Sequence, residues 1–396
     1  MLFLEIWFWL FVAIVIPAYW LCPRALKLPA LLLASAVFQW HFAGPAGVAP
    51  VVVLGILTYV AGLLIADGAR RAVFTFSWIA IVGALAFYKY ADFLLDNAAW
   101  IVEQRGGYEP YWFDAFRLIA APLGISFFAF EFVHYLYEVR VHRRPPIRDP
   151  LRFAVFAIFF PSLAAGPIKR FPDFVPQLDA LSNPPLAAIW PAVKRVIRGL
   201  FKKICIADVL VEAIHVFEEV PEYNAPIVIL LAVMQGFRIY YDFAGYTDIA
   251  LGLAQLLNLR LPENFNRPYF ATSLREFWRR WHMSLSTWIR DYIYIPLGGN
   301  RAHRGLNLLI AMMLCGLWHG AAWNFALWGL FHGAGLVAEA GARRAVPGLF
   351  TDAWPQRMLG WCVCYAYVTY GWLIFFYPVE EVWRMTKGLL VWHSVG

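Results

Sequence analysis

At 396 residues the chain is 61% hydrophobic and 18% aromatic, with only 15% charged residues and a mean hydropathy of +0.59. That composition excludes a protein dissolved in water and places the chain in a bilayer. The formal charge of +7 comes from 33 Lys and Arg against 26 Asp and Glu; its basic residues gather in short loops, the positive-inside pattern of a membrane protein rather than a nucleic-acid surface.

Stretches of about 20 apolar residues cross roughly 30 Å of hydrocarbon as helices. They recur at 3–22, 28–43, 47–66, 73–91, 115–138, 151–168, 225–240, 306–325, 322–340 and 358–377. The expectation is an all-α polytopic membrane protein of about ten to eleven transmembrane helices, taken as a single domain over 1–396: N-terminal helices to 120, core blocks over 121–340, C-terminal helices beyond. The first span has neither a basic n-region nor a small-residue cleavage site and reads as retained. Cys22, Cys205, Cys315, Cys362 and Cys364 show no paired or zinc-ligand spacing and read as small apolar residues.

Charge then orders the loops. Arg24 and Lys27 follow the first span, Arg70 and Arg71 the third, and Arg140, Arg143, Arg144 and Arg148 the fifth, whereas acidic residues dominate after the fourth. The pattern predicts an outside N-terminus and cytoplasmic basic loops. It fails at 151–168, because Lys169 and Arg170 follow at once and KRVIRGLFKK (194–203) comes next. A re-entrant segment broken at Pro161 and Gly166 satisfies those charges, and irregular backbone at that depth is tolerated only inside protein or along a cavity. The stretch 192–218 reads as an amphipathic interfacial helix, its Val196, Ile197, Leu200, Ile204, Val209 and Leu210 opposed to lysines and arginines.

Polar residues in apolar surroundings mark the candidate site. YYDFAGYTDIALG (240–252) places Asp242 and Asp248 between apolar helices, where carboxylates are costly and need partners; Arg275, Arg279, Arg280 and Arg290 are the candidates. WRRWHMSLSTWIRDYIYIPLGGNR (278–301) reads as a helix with Trp278, Trp281, Leu285 and Trp288 on one face and His282 beside it, ended by Pro296 and the Gly298-Gly299 turn. Charges on so amphipathic a helix suit the wall of a hydrated cavity. His319 sits in mid-span in LWHGAAWNFALWGLFHG, where burial keeps an imidazole neutral and able to accept a proton. Ser284, Ser286 and Thr287 read as hydrogen-bonding helix contacts rather than nucleophiles.

These blocks, with PLGISFFAFEFVHYL (122–136), FFPSLAAGPIKRFPDFVPQL (159–178) and ENFNRPYFATSL (263–274) in the same order, resemble the membrane-bound O-acyltransferase family in its bacterial alginate O-acetylation branch. The resemblance implies helices ringed around a central funnel, a bacterial inner-membrane location and acyl transfer from a cytoplasmic thioester to a hydroxyl. It sets His319 on the family's catalytic base and His282 on the second catalytic position. Arg290, Asp291, Trp318, Asn324, Tyr241 and Asp242 are assigned to the substrate path, and Lys169, Arg170 and Arg290 to attracting the phosphates of acetyl-CoA. It implies no bound cofactor, acetyl-CoA as donor substrate, a polysaccharide acceptor and a periplasmic acetyltransferase partner, with membrane lipid around the chain and no nucleic acid. D-alanyl transfer to teichoic acid is the alternative within the family.

Two readings of other classes compete. Glu131-x-x-His134 and Glu212-x-x-His215 have the spacing of helical di-iron ligands. Buried charges and a re-entrant segment also mark transporters, although no inverted repeat is visible. No Gly-rich phosphate loop is present, which sets aside a nucleotide-hydrolysing engine.

Overall fold

The structure, a computed structural model, describes residues 5–67, 71–106, 108, 110, 122–163, 166–220, 222–351 and 353–392. Among these every regular element is helical: α1 (Ile6–Leu21), α2 (Lys27–Ala66), α3 (Arg71–Gln104), α4 (Ile125–Arg140), α5 (Pro150–Ile158), α6 (Phe171–Phe174), α7 (Leu186–Leu200), α8 (Val209–Glu218), α9 (Ala225–Leu256), α10 (Leu274–Arg280), α11 (Met283–Ile289), α12 (Arg304–His319), α13 (Trp323–Ala345), α14 (Trp354–Phe376) and α15 (Val379–Gly388). The chain divides into two compact units, Met1–Val196 with Ile249–Pro262, and Ile197–Asp248 with Glu263–Gly396.

In the first unit α2 packs on α3, α4 and α5. It breaks at Gly44, whose φ of 61° lies in the left-handed region that a side chain disfavours; the break falls between the two spans expected there. Helix α4 is buried along most of its length, through Phe128, Phe132, Tyr135 and Leu136. Residues 115–121 of its expected span lie outside the described residues. Helix α5 stops at Ile158 and the backbone turns through Phe160–Ser162. Its nine residues rise about 14 Å, under half the hydrocarbon thickness. Lys169 then returns to α4, its Nζ 2.5 Å from Glu131 Oε1 and 3.3 Å from Ser162 Oγ. The charge pair ties non-helical backbone to a buried helix, which is what such a segment needs away from water.

The second unit begins within the last turn of α7, which runs into a π-helical stretch, Phe201–Asp208, that leads into α8. Lys202 Nζ lies 2.6 Å from Asp248 Oδ2, and Lys203 Nζ lies 2.6 Å from both Asp208 Oδ1 and Asp242 Oδ1. Arginines from 275–290 are therefore not the partners of the α9 aspartates; lysines are. Glycine makes the approach possible, since a Cβ on Gly245 would stand 2.8 Å from Gly199 O. The 240–252 block is also not a connection between helices, because α9 continues through it to Leu256.

The 192–218 stretch is helical, as expected, and its charged residues divide between two surroundings. Ile197, Phe201, Val209 and Val216 are more than half exposed while Lys203 is buried. Apolar side chains face outward, as lipid surroundings favour, while Lys202 and Lys203 turn to carboxylates and Lys194 and Arg198 stay exposed. The same holds elsewhere, with Ile14, Leu33, Phe76 and Leu94 all above 60% exposed. Among the described residues four helices are long and apolar enough to cross a membrane: Arg24–Ala66, Arg71–Gln104, Ala225–Leu256 and Trp354–Phe376.

Candidate active site

Ser273 starts α10 as its cap, accepting from Glu276 N at 3.1 Å, while the Glu276 carboxylate takes Thr272 N at 2.7 Å. The helix lasts seven residues. At Trp281 the backbone becomes extended, and His282 adopts φ 40° and ψ 54° before α11 begins. The expected continuous helix over the WRRWH stretch is thus a corner. Trp278, Trp281, Leu285 and Trp288 are nevertheless all buried, because the corner turns them against the same interior. Trp281 stacks on Phe277 at 5.5 Å and meets Trp372 at 4.8 Å between ring centroids. Helix α11 passes through a π-helical turn, Arg290–Tyr294, and ends before Gly298 and Gly299, both at positive φ.

His319 closes α12, and α13 starts at Trp323, so the expected spans 306–325 and 322–340 meet at a break. The hairpin is tight: a Cβ on Gly316 would lie 2.1 Å from Phe325 O, and one on Gly329 2.3 Å from Met312 O. Small residues let the backbones close, as membrane helix pairs require. His319 is half-buried and is walled by Trp318, Phe375 and Trp328 at 4.9, 5.1 and 5.4 Å between ring centroids.

His282 and His319 face each other with ring centroids 6.4 Å apart. His282 is 1% exposed and neither ring nitrogen has a hydrogen-bond partner among the described residues. Burial, then the neighbouring His319, hold its pKa well below the ordinary imidazole value, so the ring is neutral at pH 7. A neutral imidazole offers one donor and one acceptor. An oxygen about 2.8 Å from a nitrogen of each ring fits the 6.4 Å separation.

The elements that carry these histidines also line a cavity of 530 Å³ ringed by Arg275, Arg279, Arg290, Arg304 and Arg343, with Trp278, Met312 and Cys315 in its apolar wall. Met283, the residue after His282, and Cys315, one turn before His319, line it, whereas the two histidines do not. Arg290 Nε lies 2.7 Å from Asp291 Oδ1.

Other expected site residues stand further off. Asn324 Nδ2 donates to Phe375 O at 2.8 Å and so fixes one wall of the His319 pocket. Tyr241 stacks on Phe237 at 6.2 Å, and Asp242 is engaged by Lys203. Trp318 lies 5.7 Å from the His282 ring. Lys169 is not placed to attract phosphate, since its side chain is 1% exposed and paired with Glu131. Ser284, Ser286 and Thr287 bond to Asn264 Oδ1, Trp281 O and Met283 O. His134 Nε2 accepts from Phe171 N at 2.9 Å, and His215 pairs with Glu218, so the two Glu-x-x-His motifs are engaged in the fold; no cluster of metal-binding side chains occurs among the described residues. Reading the residues in order missed Phe243, 4.5 Å from His282, together with Trp328 and Phe375. Apolar walls leave no signal that separates them from core.

Comparison with known proteins fixes the class. The family described as MBOAT, membrane-bound O-acyltransferase, matches residues 139–379. The chain is 36% identical over 394 residues to the probable alginate O-acetylase AlgI of Azotobacter vinelandii, covering 96% of this chain and 76% of that one. It is 33% identical over 349 residues to the peptidoglycan O-acetyltransferase of Helicobacter pylori, covering 80% and 64%. Over 239 residues it is 33% identical to the teichoic acid D-alanyltransferase of Streptococcus thermophilus, covering 54% and 56%. The chain belongs to the membrane-bound O-acyltransferase family. It is a helical membrane protein whose reaction is O-acyl transfer.

Proposed function

We propose that the chain transfers an acetyl group from cytoplasmic acetyl-CoA across a bacterial inner membrane for O-acetylation of an exopolysaccharide of the alginate type. The observation that carries the reading is the imidazole pair: His282, sealed and with both nitrogens unpartnered, facing the half-buried His319 at 6.4 Å. Acyl transfer needs a base for the incoming hydroxyl and a donor for the oxyanion, and two imidazoles supply both. His319 takes the proton as the hydroxyl oxygen attacks the thioester carbonyl. His282, as the N–H tautomer, donates to the carbonyl oxygen as it becomes negative. When the C–S bond breaks, the sulfur leaves with its electron pair and His319 returns the proton to it, giving the ester and free thiol. No covalent enzyme intermediate is needed.

The donor's phosphates fit the arginine-ringed cavity, where Arg275, Arg279 and Arg290 face an apolar wall that suits the pantetheine arm. Similarity over 96% of the chain to an alginate O-acetylase, against 54% for the D-alanyltransferase, favours acetyl over D-alanyl. A periplasmic transferase is proposed to receive the acetyl group for the polysaccharide.

The test is detergent-purified protein with radiolabelled acetyl-CoA and candidate glycans, wild type against His319→Ala. Label transfer is expected to fall at least about a hundredfold. Undiminished transfer by the variant removes His319 as the base.

A further inference from the structure

We propose that Asn264 is a positioning residue for the acyl transfer: it locks the left-handed turn at His282 and thereby aims that ring at His319. The inference rests on the role given to His282 above. A histidine usually takes its orientation from a hydrogen bond on one ring nitrogen, and His282 has none. Its aim must come from its backbone and from the ring of Phe243 packed 4.5 Å away.

That backbone is in a conformation histidine rarely adopts, φ 40° and ψ 54°. Such a residue persists where its surroundings over-determine it. Asn264 supplies the determination from both ends of its own structure. Its carbonyl oxygen accepts from Met283 N at 3.0 Å. Its side-chain Oδ1 accepts from Ser284 Oγ at 2.6 Å and from Ser284 N at 3.3 Å, and its Nδ2 donates to Thr247 Oγ1 at 3.3 Å. Two residues on, Asn266 N donates to Arg280 O at 2.9 Å. The segment 264–266 therefore grips the chain on both sides of His282, and Thr247 ties the grip to α9, which also carries Phe243.

The residue type follows from the task. Asn264 is 0% exposed, so each polar atom needs a partner, and a short amide carries the acceptor that Ser284 requires with the donor that Thr247 takes. Aspartate keeps the acceptor for Ser284 N and Oγ and can accept from the Thr247 hydroxyl; alanine keeps only the backbone contact.

The experiment measures steady-state acetyl transfer per folded molecule, with folding followed by gel filtration and thermal unfolding in detergent. Variants are Asn264→Ala, Asn264→Asp, Ser284→Ala, His282→Ala and the double variant Asn264→Ala with His282→Ala. The expected result for Asn264→Ala is kcat lowered about tenfold to a hundredfold with KM for acetyl-CoA within about twofold. Asn264→Asp recovers most of the rate, Ser284→Ala shows a smaller loss, and the double variant is no slower than His282→Ala alone. A wild-type kcat for the folded Asn264→Ala protein overturns the inference, as do losses that multiply in the double variant. If Asn264→Ala does not fold, the Ser284→Ala variant combined with His282→Ala carries the same comparison. A wild-type rate for His282→Ala removes the role of His282 itself and the inference with it, whereas a slow His282→Ala beside a normal Asn264→Ala overturns the inference alone.

Discussion

At the scale of single residues, the cost of burying an imidazole has a readable consequence. His282 is sealed and its pKa is held well below the ordinary value, by burial first and by His319 second. The unfolded chain binds a proton at this histidine below about pH 6.5 while the folded chain does not. More protons on the unfolded state mean that stability is complete above pH 6.5 and is lost as the pH falls toward the lowered folded value, at up to about 1.4 kcal/mol per pH unit. His282→Gln has no such proton to bind. Its melting temperature in detergent is expected to fall less than that of wild type between pH 7.5 and pH 5. Equal shifts in the two proteins would show that His282 is protonated in the fold, and then it has no sealed site to act from.

Helix pairing poses the next question, because His319 closes α12 where the α12–α13 hairpin draws two backbones close together. The Cβ of an alanine at Gly329 would stand 2.3 Å from Met312 O, whereas at Gly341, further along the same helix, nothing lies within 4 Å. Gly329→Ala is expected to cost about 1–3 kcal/mol by forcing the helices apart and to lower transfer. Gly341→Ala is expected to leave both unchanged, or to stabilise the helix by up to about 1 kcal/mol. Thermal unfolding and transfer assays on the two variants check this; equal behaviour would refute close approach as the reason for glycine. The same hairpin shows what a sequence discloses. The apolar runs on either side of Gly44 and of the 320–322 break were legible, as was His319, because a polar residue in an apolar run is conspicuous; His282, among arginines, was singled out by the family resemblance. Partner choice was not: the α9 aspartates took Lys202 and Lys203 because a glycine crossing at Gly199 and Gly245 brings that stretch within reach, and spacing along the chain does not reveal a crossing. The corner at His282 was hidden for a related reason. It is imposed by Asn264, which is 18 residues away and bonds through atoms that any asparagine carries.

In both units large apolar side chains are exposed while Lys169, Lys202 and Lys203 are paired with carboxylates. Insertion then depends on where the exposed basic residues fall, since moving them across the bilayer is disfavoured. Arg140 and Arg143 are exposed just beyond α4, and Arg148 is exposed at a side-chain value of 77%, whereas the end of α3 presents Glu103 with Arg105. The basic segment after α4 is therefore expected in the cytoplasm and the end of α3 on the opposite side. In a background with the five native cysteines replaced, Arg143→Cys should react with a membrane-impermeant maleimide only after the membrane that holds the protein is permeabilised. Arg105→Cys should react without that step. Labelling of both before permeabilisation, or the reverse order, would break the alternation.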